Sequence, residues 1–133
     1  MSAKKIRVLI AEDDEVSAKA ARSMLERLGC SVDVATDGAE AVKHFRDRDY
    51  DLILMDWQMP LMDGLEATVR IRAMPRGQAT VIVGTTSEKS HTECLKSGMN
   101  DVVPKPFLFE KMRYVLSRWT GWTAAPTPGP CEA

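Results

Sequence analysis

With 133 residues, 44% hydrophobic and 28% charged, the chain is long enough for one globular domain with a real core and too balanced to be disordered or fibrous. A formal net charge of -1 leaves no basic footprint, which argues against direct nucleic-acid binding. No run approaches the roughly 18 apolar residues of a membrane span, and acids interrupt the N-terminus where a signal peptide needs its apolar stretch, so a cytoplasmic protein away from the membrane is expected.

Residues 1–4 read as an N-terminal extension. Ile6 to Ala11 is a β-rich run that ends on Glu12-Asp13-Asp14, a buried strand that delivers acids at its carboxyl end. Val16, Ala20, Met24 and Leu28 then recur every four residues, with Ala21 and Leu25 beside them, and Gly29 closes a helix. Helix capping accounts for Asp14 and Glu15 but not for Glu12, which belongs to the strand end. Ser31 to Ala35 alternates as an edge strand, and its thiol neighbour Cys30, with Cys94 and Cys131, forms a scattered set without metal-ligand spacing, read as free thiols. Asp37-Gly38 breaks the strand before a short helix that uses Ala41, Val42 and Phe45.

The stretch DLILMDWQMPLMDG, Asp51 to Gly64, places a continuous apolar run directly before Asp56, the pattern of a strand buried on both faces. Pro60 and Met62-Asp63-Gly64 supply turn chemistry, so Asp56 stands at the mouth of a loop, where open α/β sheets place their sites. Leu65 to Met74 reads as a helix with Leu65, Val69 and Ile71 toward the core, stopped by Pro75-Arg76-Gly77. Thr80 to Val83 is a fourth strand running into the turn Gly84-Thr85-Thr86-Ser87. Glu88 to Ser97 follows as a helix with few apolar residues, expected to be weakly held. Asp101 to Val103 is a short fifth strand before Pro104-Lys105-Pro106, and Phe107 to Trp119 is a last helix, amphipathic through Leu108, Met112, Val115 and Trp119. The Pro-, Ala- and Thr-rich residues 120–133 read as a disordered tail or linker stub, which leaves residues 5–119 as the domain.

Five strands alternating with five helices predict an α/β fold, a doubly wound parallel sheet with right-handed crossovers. The order 2-1-3-4-5 is taken from flavodoxin-like sheets of this build. The carboxyl strand ends then bring Glu12, Asp13, Asp56, Thr85 and Lys105 to one rim. Alone, Asp56 reads as a helix cap or strand end; in this company it does not. Carboxylates within about 4 Å of one another repel by about 4 kcal/mol per pair at an effective dielectric near 20. Either one acid stays protonated or a divalent cation sits among them, and an all-oxygen site with room for water and phosphate suits Mg²⁺. Lys105 and the Thr85 hydroxyl complete a pocket for a phosphoryl group, with Asp56 as nucleophile.

The stretches VLIAEDDE, TDGAEAV, DLILMDWQMPLMDG, VIVGTT and GMNDVVPKPF resemble the response regulator receiver domain of two-component signalling, over roughly residues 5 to 119. The resemblance implies Asp56 as phosphoacceptor, Glu12 and Asp13 as the acid pair, and the Gln58 backbone carbonyl as a further metal ligand. It implies Thr85 as switch hydroxyl and Lys105 as phosphate-binding cation, with a cis bond into Pro106. The donor implied is a histidine kinase or a histidine phosphotransfer protein.

Two departures stand out. Val102 occupies the position three residues before the lysine where the family commonly has Tyr or Phe, so no aromatic swing partners Thr85. Thr86 replaces the smaller residue that usually follows the switch hydroxyl. Movement or ordering of the weak helix after Ser87 is the expected readout instead. His44 and His91 read as solvated side chains, Trp57 as a partly exposed loop aromatic, and Trp119 and Trp122 as packing at the end of the last helix. Val103, Phe107 and Phe109 are read either as core or as a partner surface.

The reading is a signalling phosphoacceptor, acting on itself and on no external metabolite, that reports to a protein partner with room for a homodimer. Three alternatives stand beside it: a receiver segment of a hybrid sensor kinase, an aspartyl-phosphate phosphatase, and a binding module that is never phosphorylated. A phosphatase of that kind wants an acid two residues after the nucleophile, where this chain has Gln58.

Overall fold

The computed structural model describes residues 5–86, 91–105 and 108–122. Five strands, β1 (Arg7–Ala11), β2 (Ser31–Ala35), β3 (Leu52–Asp56), β4 (Val81–Thr86) and β5 (Asp101–Pro104), alternate with five helices, α1 (Glu15–Arg27), α2 (Gly38–Asp47), α3 (Gly64–Arg72), α4 (His91–Lys96) and α5 (Phe109–Thr120). All neighbouring strands pair in parallel in the order β2-β1-β3-β4-β5, as expected from the sequence. Among the described residues no helix is long and apolar enough to cross a membrane.

Strand alternation divides the core into two layers. Val8, Ile10, Leu52, Leu54, Val83 and Val103 pack with Leu25 of α1 and with Met112, Val115 and Leu116 of α5. Leu9, Ile53, Met55, Ile82 and Val102 pack on the opposite side, with Phe45 of α2 and Ile71 of α3. Three helices that start at the carboxyl rim of the sheet are capped by aspartates: Asp14 accepts from the Ser17 N–H, Asp37 from Glu40 and Asp63 from Glu66, at 2.9, 2.8 and 2.9 Å. Each such cap is worth about 1 kcal/mol. Asp14 is thereby held below the usual carboxylate range by its bonds to Ser17. Glu12, Asp13 and Asp56 cap nothing and remain to be explained.

Several elements differ from expectation. The buried side of α1 is Ala18, Ala21 and Leu25, whereas Val16 is 75% exposed and Met24 and Leu28 are half-buried. Two neighbouring stripes of that helix are apolar, so periodicity could not choose between them. In α3, Val69 is exposed and Ala67, Thr68 and Ile71 are buried. Strand β4 runs on through Gly84, Thr85 and Thr86, which the sequence suggested as a turn, because residues 85 and 86 still have partners on β5. Among the described residues α4 covers only His91–Lys96; Ser87 to Ser90, like Pro106 with its implied cis bond and Phe107, lies outside the described residues. Leu108 precedes α5 as its 71%-exposed N-cap and does not join the core face. Val103 is core, and the Phe109 ring lies beneath the Arg27 guanidinium at 4.8 Å. The last helix continues to Thr120, and Trp122 packs back on the core.

Candidate functional site

The alternation that builds the α1/α5 layer also builds the site. Ile10, Leu54, Val83 and Val103 face that layer, and two residues further along each chain stand Glu12, Asp56, Thr85 and Lys105. Side chains two apart share a face, so the four groups continue four apolar rows past the end of the core. Asp56 lies beside Thr85 in the β3–β4 ladder, and Thr85 lies beside Val103 in the β4–β5 ladder. The main chain fixes this rim: Glu12 N–H donates to Ala35 O at 2.9 Å, Trp57 N–H to Thr85 O at 3.1 Å, and Lys105 N–H to Thr86 O at 2.9 Å.

Lys105 Nζ lies 2.6 Å from Glu12 Oε1 and 3.2 Å from Asp56 Oδ2, joining two carboxylates that are only 6% and 5% exposed. The second Glu12 oxygen accepts from the Asp14 N–H at 3.1 Å. Glu12, Asp13 and Asp56 each offer an oxygen, all within 4.8 Å of one another. Burial first, and then the Glu12 charge, push the Asp56 carboxyl up to about 7, while Lys105 pulls the other way. For Lys105 burial would lower the value, but its bond to Glu12 and the Asp56 charge overcome this and raise it. One ammonium thus offsets part of the repulsion among three acids, and a proton on Asp56 or a cation must take up the rest. The donor set is all carboxylate oxygen on an open rim, which fits Mg²⁺.

The sequence-predicted residues divide accordingly. Glu12, Asp13, Asp56 and Lys105 converge, with Thr85 buried next to Asp56. Gln58 is exposed in the following loop, where it borders an open depression with Asp13, Trp57 and Met59. Thr86 is buried, and its carbonyl holds the Lys105 backbone. Val102 is 8% exposed and packs in the opposite layer from Lys105. His44 is half-buried on α2 and takes no part. Sequence reading missed Gly64 as part of the site. Its N–H donates to Trp57 O at 2.7 Å, and a β carbon there would stand 2.9 Å from the Asp56 carbonyl carbon. The available signal was a glycine directly after a capping aspartate, where only turn chemistry was read.

The family model "Response regulator receiver domain" matches residues 8–117. The chain belongs to that family. This receiver domain is 41% identical over 126 residues to the two-component response regulator ORR41 of Oryza sativa subsp. japonica, covering 90% of this chain and 98% of the relative. Other curated relatives are far longer: the chain spans 16% of the length of a probable histidine kinase 1 from Oryza sativa subsp. indica, at 31% identity over 152 residues. Among solved structures, the receiver domain of the sensor histidine kinase PA1611 of Pseudomonas aeruginosa PAO1, with a magnesium ion coordinated in its active-site cleft, is 36% identical with a TM-score of 0.84, covering 89% of this chain and 99% of that one. The receiver domain of Saccharomyces cerevisiae Ssk1, in complex with the histidine phosphotransfer protein Ypd1, is 28% identical with a TM-score of 0.83, covering 94% and 95%.

Proposed function

We propose that Asp56 accepts a phosphoryl group from a phosphohistidine donor, with Mg²⁺ held by Asp13, Asp56 and the Gln58 carbonyl and oriented by Glu12. The observation that carries this is Lys105 Nζ placed against both Glu12 and Asp56, with the carboxylate of Asp13 in the same cluster. Bound Mg²⁺ would supply positive charge to phosphoryl oxygens and favour the ionised carboxylate. An Asp56 oxygen forms the new P–O bond as the donor's N–P bond breaks, its electron pair remaining on the imidazole nitrogen. Transfer turns the Asp56 oxygen into the bridging oxygen of an acyl phosphate, and Lys105, released from that charge, serves the phosphoryl oxygens. The Thr85 hydroxyl takes another of these oxygens, drawing on β4 and through it on α4.

A protein donor suits the rim. Val16, Leu61 and Leu108 are 75%, 90% and 71% exposed, and all three belong to segments that follow strand ends on the site's side of the sheet. Apolar side chains around a charged cleft favour docking of another protein, here a histidine kinase or a phosphotransfer protein. The unit serves equally as an independent regulator or as a segment of a hybrid kinase. The setting is intracellular signalling, with turnover confined to Asp56 itself. Incubation with a small phosphodonor and Mg²⁺ should add one phosphoryl by mass; Asp56→Asn should abolish it. Retention of the added mass in that variant would sink the assignment.

A further inference from the structure

We infer that Gly38, at the start of α2, is a positioning residue for the metal-binding loop and acts through the Met62 carbonyl. The inference rests on the magnesium reading of the site. Among the described residues Leu61 alone is a non-glycine residue with positive φ, at +68°. The Met62 N–H donates to the Pro60 carbonyl at 2.7 Å, which closes a three-residue turn centred on Leu61. Turns of this hand are rare and strained, and such strain persists only where the surroundings over-determine it. The Leu61 side chain is 90% exposed, so its own packing does not hold the turn. The backbone does. Gly64 N–H donates to Trp57 O at 2.7 Å at one end of the loop, and Gly38 N–H donates to Met62 O at 3.0 Å at the other.

Gly38 makes its bond only because it lacks a side chain. A β carbon there would stand 2.9 Å from the Met62 carbonyl carbon and 3.0 Å from Asp63 O, and closer still to Met62 O. Its own end cannot retreat, because Asp37 caps α2 through the Glu40 N–H and Ala41 and Phe45 are fully buried. The loop must yield instead, and the loop is the segment that carries Gln58. Through this bond α2, which contributes no group to the site, sets where the loop's carbonyl stands before any ion arrives. Outlying groups that orient metal ligands commonly govern affinity by 10- to 100-fold when altered.

Magnesium titration by calorimetry on the full chain tests this. Gly38→Ala should weaken Mg²⁺ affinity about tenfold or more. Gly77→Ala is the control: its β carbon would stand 2.6 Å from the carbonyl carbon of Ile71, in the last turn of α3 and away from the loop, so it strains the backbone at least as much but should leave affinity unchanged. Leu61→Gly, which frees the turn without a clash, should also weaken affinity while the melting temperature of the ion-free chain holds. Equal losses in Gly38→Ala and Gly77→Ala would overturn the inference. So would wild-type affinity in Gly38→Ala or, where that variant does not fold, in Leu61→Gly. Absence of Mg²⁺ binding in the unaltered chain would instead overturn the metal reading on which all this stands.

Discussion

The two helices α4 and α5, on opposite sides of the sheet, are held to different standards. On the α1/α5 side, Met112, Val115 and Leu116 are at most 2% exposed, and the Arg27 guanidinium covers the Phe109 ring. The Trp122 indole donates to Leu28 O at 2.9 Å. On the other side, Cys94 alone is buried among the described side chains of α4, and Leu95 is 42% exposed. One side chain ties the segment after α4 to the segment before β4: Arg72 of α3 donates to Gly98 O at 2.8 Å and Asn100 Oδ1 at 2.8 Å, and to Gly77 O at 2.6 Å and Thr80 O at 2.5 Å. Thr68, next to Gly98, buries a hydroxyl that has no partner among the described residues. The site continues the α1/α5 layer, while the element that follows Thr85 and Thr86 is the weakly packed α4. A rigid floor beneath Asp56 keeps the acids together, and a weakly held helix next to it is free to respond.

The largest expected effect comes from cutting the pin beside the weakly packed α4. Arg72→Ala leaves three backbone carbonyls and the Asn100 side chain without their donor, and Asn100 itself accepts from the Ile82 N–H at 2.8 Å. Losing charged hydrogen bonds to partly buried acceptors should cost about 3 kcal/mol in a urea melt. Amide exchange should quicken from Cys94 to Asn100 and stay unchanged in α5. Uniform quickening across both layers would show that they unfold as one unit and erase the contrast. In the unaltered chain, phosphorylation should slow exchange around α4 and leave α5 as it was.

A middle-sized effect reports on the rigid layer, through the acid built into it. Asp56 titrates at about 7 in the folded chain and near 4 when unfolded, so the folded state holds the extra proton between those values. Stability owed to that proton is complete below pH 4 and is lost as pH rises through 7. With Mg²⁺ removed by chelation, Asp56→Asn escapes that loss. It should gain about 2 kcal/mol on the unaltered chain between pH 5 and pH 8. A difference that does not vary with pH would mean that Lys105 alone keeps Asp56 ionised.

The same contrast explains what could be read beforehand. The alternation of strands and helices, the acids and hydroxyls at the strand ends and the weakness of the helix after Thr86 follow from runs and alternations confined to a few consecutive residues, whereas the strand order came only from the likeness to flavodoxin-like sheets. Two features were not legible. In α1 two adjacent apolar stripes compete, and only the sheet decides for Ala18, Ala21 and Leu25. The bonds from Gly38 to Met62 and from Arg72 to Gly98 join residues more than twenty positions apart, and no local pattern announces them. Lys105 was foreseen as a phosphate ligand; its bridging of two acids depends on where Glu12 points, which spacing does not fix.

The smallest effect belongs to the end of the chain's described region. Gly121 leaves α5 with φ +75°, a left-handed cap that turns the backbone so that Trp122 lies over the end of α1. Trp122→Phe keeps most of the apolar area and removes only the bond to Leu28 O, a loss of about 1 kcal/mol. Leu28 N–H already bonds within its helix, so the carbonyl freed by the substitution is the one group left wanting. Exchange should therefore quicken at the end of α1 alone, with phosphorylation of Asp56 unaffected, because the strap sits at the opposite end of the sheet from the acids. A change in phosphoryl lifetime in Trp122→Phe would mean that the rigid layer transmits as well as supports, and the division of labour between the two layers would have to be redrawn.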